Sequence, residues 1–307
     1  MAGHDETAHG TRHVERQSAP PERDRFPSGE NLDVTASNWL QVHRGEAPLL
    51  VSLPHTGTDL PPDLEARLVS PWLARKDADW WIDQLYAFAA GLGATVVRTT
   101  VSRTAIDVNR DPSGISLYPG QATTELCPTT SFDGEPLYQA GQEPDVQEIA
   151  ERRARWFDPY HAALDAEVTR LKALNGSIAV YDCHSIRSVV PRLFEGRLPA
   201  FNIGTNGGTS CAPALSDGVA AICRETGRSV VVDGRFRGGF ITRRLGRPDQ
   251  GVHAIQMELA CRAYLREPEG VVSEADWPPP YDPAYAVPVR EALQRIFDHC
   301  LAVARAS

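Results

Sequence analysis

The chain has 307 residues, 42% hydrophobic and 23% charged, the balance of a globular enzyme long enough to bury a large core. Its formal net charge of −9 argues against a nucleic-acid-binding face. No apolar run approaches the roughly 20 residues that span a bilayer, and the start lacks a basic-then-apolar signal pattern.

Residues 1–31 are rich in His, Arg, Glu, Pro and Ser, with almost no apolar periodicity, and read as a mobile polar tail. Metal binding by its His4, His9 and His13 would be adventitious. From Trp39 onward, strands and helices alternate. "APLLVSL" is a short apolar run suited to a buried strand. "DADWWIDQLYAFAAGLG" has apolar residues at helical spacing, acids at its start and Gly at its end, and predicts a helix. "ATVVRTT", rich in β-branched residues, predicts the next strand. "DVQEIAERRARWF" and "YHAALDAEVTRLKAL" predict two amphipathic helices separated by Pro159. "SIAVYDCH", "SVVVD" and "HAIQMEL" read as strands. "APALSDGVAAICRETG" and "PVREALQRIFDHCLAVARA" read as helices. This alternation predicts an α/β fold: a single three-layer α/β/α domain around a central mixed, largely parallel sheet. The Gly/Pro/Thr-rich stretch over residues 109–144 has no clear periodicity, and loops of that length in compact domains are usually functional.

Six cysteines are dispersed without a C-x-x-C pair, which excludes a disulfide scaffold and zinc-finger spacing and suggests reduced thiols in a cytoplasmic protein. Cys183 adjoins His184, but alternation along a strand sends the two to opposite faces.

In open α/β sheets, ligands gather at the carboxyl ends of strands. His55 and His184 both stand where an apolar run ends, so both should project into one crevice. Two histidines so placed point to metal, and catalytic zinc takes three protein ligands, often two His and one carboxylate. The carboxylate can come from "DADWWID", where Asp79 and Asp83 are four apart and would share a helical face. Asp77 is explained as a helix cap, Asp79 is preferred as the third ligand, and Asp83 is held in reserve. Asp182 could orient His184 from behind. Glu258 is an acid in an apolar strand, so it has either an Arg partner or a chemical task as general base. Arginines cluster in Gly-containing loops: Arg103 and Arg110 near Asp107 and Asn109, then Arg187, Arg192 and Arg197, then Arg235, Arg237, Arg243 and Arg244. That suits bidentate capture of carboxylates on a small anionic substrate.

Taken in series, "SLPHTGTDLP", "DADWWIDQLY", "SRTAIDVNRDP", "LYPGQATTELCP", "DCHSIRSVVPRLFEGRLP", "NIGTNGGTSC", "GRFRGGFITR" and "GVHAIQMELA" closely resemble the N-formylglutamate amidohydrolase family over residues 48–267. The resemblance makes residues 32–307 one catalytic domain, related in fold to zinc carboxypeptidases and aspartoacylases. It implies hydrolysis of N-formyl-L-glutamate to formate and L-glutamate at the end of one route of histidine breakdown. It further implies zinc or another divalent transition metal on His55, His184 and a carboxylate. Glu258 becomes the base, and Asn109 with Arg110 grips a substrate carboxylate. Where zinc carboxypeptidases place their carboxylate ligand, three residues after the first His, this chain has Thr58, a poor zinc ligand, which turns attention to Asp79. "VDGRF" stands where Asn before Gly is usual, and Arg244 where a His is. Arg103 is the expected oxyanion stabiliser, and Arg192 or Arg243 the second carboxylate clamp. The expected partner is a small N-formyl amino acid rather than nucleic acid or membrane, with homo-oligomerisation left open. The alternatives are a related metal-dependent deacylase or carboxypeptidase acting on another N-acyl amino acid, or a non-catalytic anion-binding scaffold.

Overall fold

Among the described residues, runs rich in Val, Leu and Ile form seven strands: β1 (Leu40–His43), β2 (Leu49–Leu53), β3 (Thr95–Thr99), β4 (Ile178–Ile186), β5 (Phe201–Gly204), β6 (Val230–Val232) and β7 (Val252–Ala260). The structure is a computed structural model that describes residues 38–306, so the predicted tail and its histidines lie outside the described residues. The strands form one sheet in the order β1-β3-β2-β4-β7-β5-β6. Pairing is parallel from β3 through β2 and β4 to β7, and between β5 and β6. β1 lies antiparallel on β3, and β5 on β7, so the sheet is mixed and largely parallel.

The helices are α1 (Pro62–Glu65), α2 (Pro71–Arg75), α3 (Ile82–Leu85), α4 (Val146–Arg152), α5 (Asp158–Asn175), α6 (Pro213–Glu225), α7 (Phe240–Leu245) and α8 (Pro283–Ala306). Alternation along the central strands divides the core in two. Leu49, Val51 and Leu53 of β2 join Ala179, Tyr181 and Cys183 of β4 under α6 and α8. Leu50, Ile178 and Val180 face the other way, against Tyr160, Leu164 and Leu171 of α5. Each fully buried Leu or Val contributes roughly 1.5–3 kcal/mol, so both helical layers are held to the sheet by its apolar faces. This is a three-layer α/β/α domain. All six cysteines are free and buried. Among the described residues, no helix is long and apolar enough to cross a membrane.

Three predicted elements take a different form. "DADWWIDQLYAFAAGLG" is not one helix, because only the four residues of α3 and a 3-10 segment over Ala87–Leu92 are helical. Its first residues are committed to tertiary bonds instead: Asp77 Oδ2 accepts from the Phe132 N–H at 2.6 Å, and the Asp79 N–H donates to the His55 carbonyl at 2.9 Å. Asp79 and Asp83 therefore share no helical face, and Asp83 pairs with Arg98 at 3.0 Å. Pro159 does not separate two helices. α4 runs through a π-helical segment, Arg153–Phe157, directly into α5. Pro has no N–H and its ring crowds the carbonyl four residues back; the wider π turn accommodates both. α8 begins five residues before the predicted start and carries Pro288 inside it. The short strands β1 and β5 were not predicted. Residues 109–144 are almost wholly irregular, as their composition suggested, and Tyr118, Thr124 and Phe132 from this stretch line one pocket with His55 and His184.

Candidate active site

β2 ends at Leu53, and the chain reaches His55 two residues later. On the neighbouring strands, His184 of β4 and Glu258 of β7 are paired in register. The Asp77–Trp80 turn hangs its backbone on His55 and so brings in Asp79. One ligand atom from each of His55, Asp79 and His184 lies within 4.8 Å of the others, and all three residues are buried. His55 Nδ1 is 3.1 Å from His184 Nδ1, and Asp79 Oδ2 is 3.2 Å from His184 Nδ1 and 3.7 Å from His55 Nδ1.

Each imidazole is held from behind. Asp107 Oδ1 lies 2.7 Å from His55 Nε2, and Asp182 Oδ2 lies 3.0 Å from His184 Nε2. Burial alone would raise the Asp107 carboxyl, but the charges of Arg110, His55 and Arg103 hold it well below its usual range. Carboxylates at both Nε2 atoms favour the Nε2–H tautomers, which leave both Nδ1 lone pairs facing each other beside Asp79. The other Asp79 oxygen, Oδ1, is buried without a hydrogen-bond partner and lies 3.8 Å from Arg103 Nη1. Three acceptors, the two Nδ1 atoms and Asp79 Oδ2, converging in a buried site demand positive charge between them. Burial and Arg103 lower the pKa of His55. His184 is opposed by burial but raised well above the usual value by Asp182 and Asp79. The donor set fits a divalent metal held by two histidines and a carboxylate.

Glu258 lines the same pocket as His55 and His184. Burial pushes its carboxyl up to about 8, against the charge of His184. Arg103, Arg110 and Arg235 give the walls positive charge, and Phe132, Tyr118 and Phe236 give them apolar surface. The Arg103 guanidinium bonds Asp107 Oδ2 at 2.6 Å and lies over the Phe132 ring at 4.7 Å. Arg110 is anchored on Thr124, through the carbonyl at 3.2 Å and Oγ1 at 3.0 Å. Asn109 lines the pocket, but its amide is largely engaged. Oδ1 accepts from the Ile241 N–H at 2.8 Å, and Nδ2 lies 3.0 Å from His184 Nε2 and 3.4 Å from Asp182.

The two arginines picked as the second clamp are elsewhere. Arg192 donates to the Ser131 carbonyl at 3.2 Å and Arg243 to the Gly238 carbonyl at 2.8 Å; Arg243 lies over the Tyr118 ring at 5.1 Å, and neither lines the pocket itself. Arg235, by contrast, lines the pocket. It is fixed by the carbonyls of Leu193 at 2.7 Å and Ala122 at 2.8 Å and lies over the Tyr118 ring at 5.2 Å. Its position just past β6, another strand end, was the available signal. Arg244 bonds Asp165, and Thr58 uses its carbonyl on Arg75 at 2.8 Å without joining the ligand cluster.

A family model described as N-formylglutamate amidohydrolase matches residues 47–265. This chain belongs to the N-formylglutamate amidohydrolase family. It is an amidohydrolase-type enzyme, and its curated relatives within the family include the N-formylglutamate deformylase of Pseudomonas aeruginosa. That relative is 47% identical over 238 residues, covering 77% of this chain and 89% of the relative. The Pseudomonas putida N-formylglutamate deformylase is 45% identical over 231 residues, covering 75% and 86%. The crystal structure of N-formylglutamate amidohydrolase from Ralstonia eutropha JMP134 superposes with a TM-score of 0.69 at 24% identity, covering 87% of this chain and 98% of that one. A gene product from Agrobacterium tumefaciens has a TM-score of 0.60 at 18% identity, covering 88% and 96%. At these identities the two solved structures speak for the fold of this amidohydrolase.

Proposed function

We propose that the protein hydrolyses N-formyl-L-glutamate to formate and L-glutamate in a metal-dependent reaction. The observation that carries this reading is the convergence of two imidazole Nδ1 atoms and Asp79 Oδ2 in the pocket that Glu258 lines. Bound by His55, Asp79 and His184, zinc or another divalent transition metal supplies Lewis acidity toward water and the formyl carbonyl.

The chain's own groups do the rest. Glu258, held near neutral pKa by burial, takes a proton from water as the water oxygen bonds to the formyl carbon. As the C–N bond breaks, Glu258 returns that proton to the departing amine of glutamate. Arg103, steadied by Asp107, faces the carbonyl oxygen where negative charge develops. Arg110 and Arg235, both lining the pocket, receive the two glutamate carboxylates. Asn109 holds the surroundings of His184 and the start of α7 together rather than acting as a free clamp. This activity would end a route of histidine breakdown in the cytoplasm.

The test is formate release from N-formyl-L-glutamate, beside N-acetylaspartate and N-acyl dipeptides, before and after a chelator. Turnover of N-formylglutamate that vanishes with metal and returns with zinc supports the reading. Full activity in metal-stripped protein would sink the metal assignment, and preference for another acyl group would sink the substrate.

A further inference from the structure

We propose that Tyr264 is a positioning residue for the metal site, its single phenolic oxygen tying together the chain segments that carry Asp79 and His184. The inference rests on the reading of His55, Asp79 and His184 as metal ligands.

Tyr264 is fully buried, four residues past the end of β7, the strand that carries Glu258. Its O–H donates to the carbonyl of Trp80, the residue after Asp79, at 2.7 Å. The same phenol oxygen lies 2.8 Å from Ser185 Oγ, on the residue after His184. One oxygen therefore sets the distance between the residues that follow two of the three candidate ligands. The third is tied in by the Asp79 N–H bond to the His55 carbonyl.

The Asp79 turn needs such restraint. Trp81, two residues on, has φ 62° and ψ 9°, the left-handed region that costs a residue with a side chain roughly 1–2 kcal/mol. Such backbone persists only where its surroundings over-determine it. Here the restraints are the Trp81 indole N–H on the Pro279 carbonyl at 2.9 Å, Tyr264 on Trp80, and Asp79 on His55. Without the phenol hydroxyl, the Trp80 carbonyl loses its partner and the turn can relax, carrying the Asp79 carboxylate away from the two imidazoles.

The test is zinc affinity by competition with a chromophoric chelator, measured on the full chain together with melting of the chelator-treated protein. Tyr264→Phe, which removes only the oxygen, should bind zinc about 10- to 100-fold more weakly, the usual effect of losing a partner behind a ligand. Its KM for N-formylglutamate in saturating zinc should stay within about twofold of wild type, since Tyr264 is not on the pocket wall. Ser185→Ala leaves the Trp80 bond in place and should lose less. If Tyr264→Phe does not fold, weaker zinc binding by Ser185→Ala supports the tether and unchanged binding overturns it. A Tyr264→Phe protein that melts lower yet binds zinc like wild type shows a packing role and overturns the proposal. Wild-type protein that binds no zinc would remove the metal reading itself, and the tether with it.

Discussion

His184 and Glu258 face each other across the β4–β7 ladder, so the separation of a candidate ligand and the candidate base is set by backbone hydrogen bonds of the sheet. Both strands are buried at every one of their nine positions. Glu258 therefore has little freedom to move, and its task is separable from its fit. Glu258→Gln, nearly isosteric, should keep KM and zinc content while lowering kcat about 100- to 10,000-fold. Burial raises the Glu258 carboxyl to about 8 in the metal-free protein, and the ionised form is the base. Wild-type kcat/KM should therefore climb with pH as that proton is lost, a limb pulled to lower pH by the metal's charge and missing from the residual activity of the variant. A variant with near-normal kcat would disprove the assignment.

The carboxylate clamp divides the arginines. Arg235→Met should raise the KM for N-formylglutamate about 10- to 100-fold with kcat changed much less, the cost of about 1.5–3 kcal/mol for a lost charge-assisted hydrogen bond. Arg192→Met, whose guanidinium serves the Ser131 carbonyl outside the pocket, should leave KM nearly unchanged. Steady-state kinetics of the pair decide the matter. Equal effects of the two changes would argue against Arg235 as the clamp.

A buried histidine outside the ligand cluster should make the fold acid-sensitive. The His161 ring packs against Phe157 at 4.3 Å, bonds the Val108 carbonyl through Nε2 at 2.8 Å, and leaves Nδ1 buried without a partner. Burial first, then the charge of Arg244, lowers its pKa to about 4 from 6.5. The native state thus resists taking up the proton. The stabilisation is full above pH 6.5 and is lost as pH falls through 4, by about 3 kcal/mol at most. Denaturant unfolding of wild type and His161→Gln at pH 7 and pH 4 should show a smaller acid loss in the variant. Parallel losses would show that His161 is not the cause.

Gly239 is dictated by space rather than by backbone angle. A Cβ there would stand 2.3 Å from Asn109 Nδ2 and 2.6 Å from Oδ1. Gly239→Ala should therefore displace the amide that bonds Asp182 behind His184 and the Ile241 N–H, at about 1–3 kcal/mol of stability. The loss in kcat/KM at a temperature where the variant is fully folded should exceed that of a distant surface change. Melting curves and kinetics on the same preparation test this, and unchanged kinetics would mean Asn109 can move without consequence.

The long strands were readable because apolar runs end abruptly in polar residues, and the same feature marked His55 and His184, whereas Glu258 stood out as an acid within an apolar strand. The turn around Asp79 was not. Its apolar spacing mimics a helix, and only contacts from far along the chain, with Phe132, Pro279 and Tyr264, bend it otherwise. The choice of Arg235 over Arg192 and Arg243 depends on carbonyls at Leu193 and Ala122 that local spacing does not reveal. Asp107 was visible as an acid among arginines, but its place between His55 and Arg103 exists only once β2 and the Ser102–Asp107 segment meet.

β4 and β7 lie mid-sheet under helices on both faces, whereas Tyr118 and Thr124 reach the same pocket from irregular chain. Floor and roof therefore belong to different stability classes. Amide deuteration around His184 and Glu258 should wait for global unfolding, while the roof exchanges through small local openings. An enzyme partitioned in this way can admit and release substrate repeatedly without loosening the side chains that perform the chemistry.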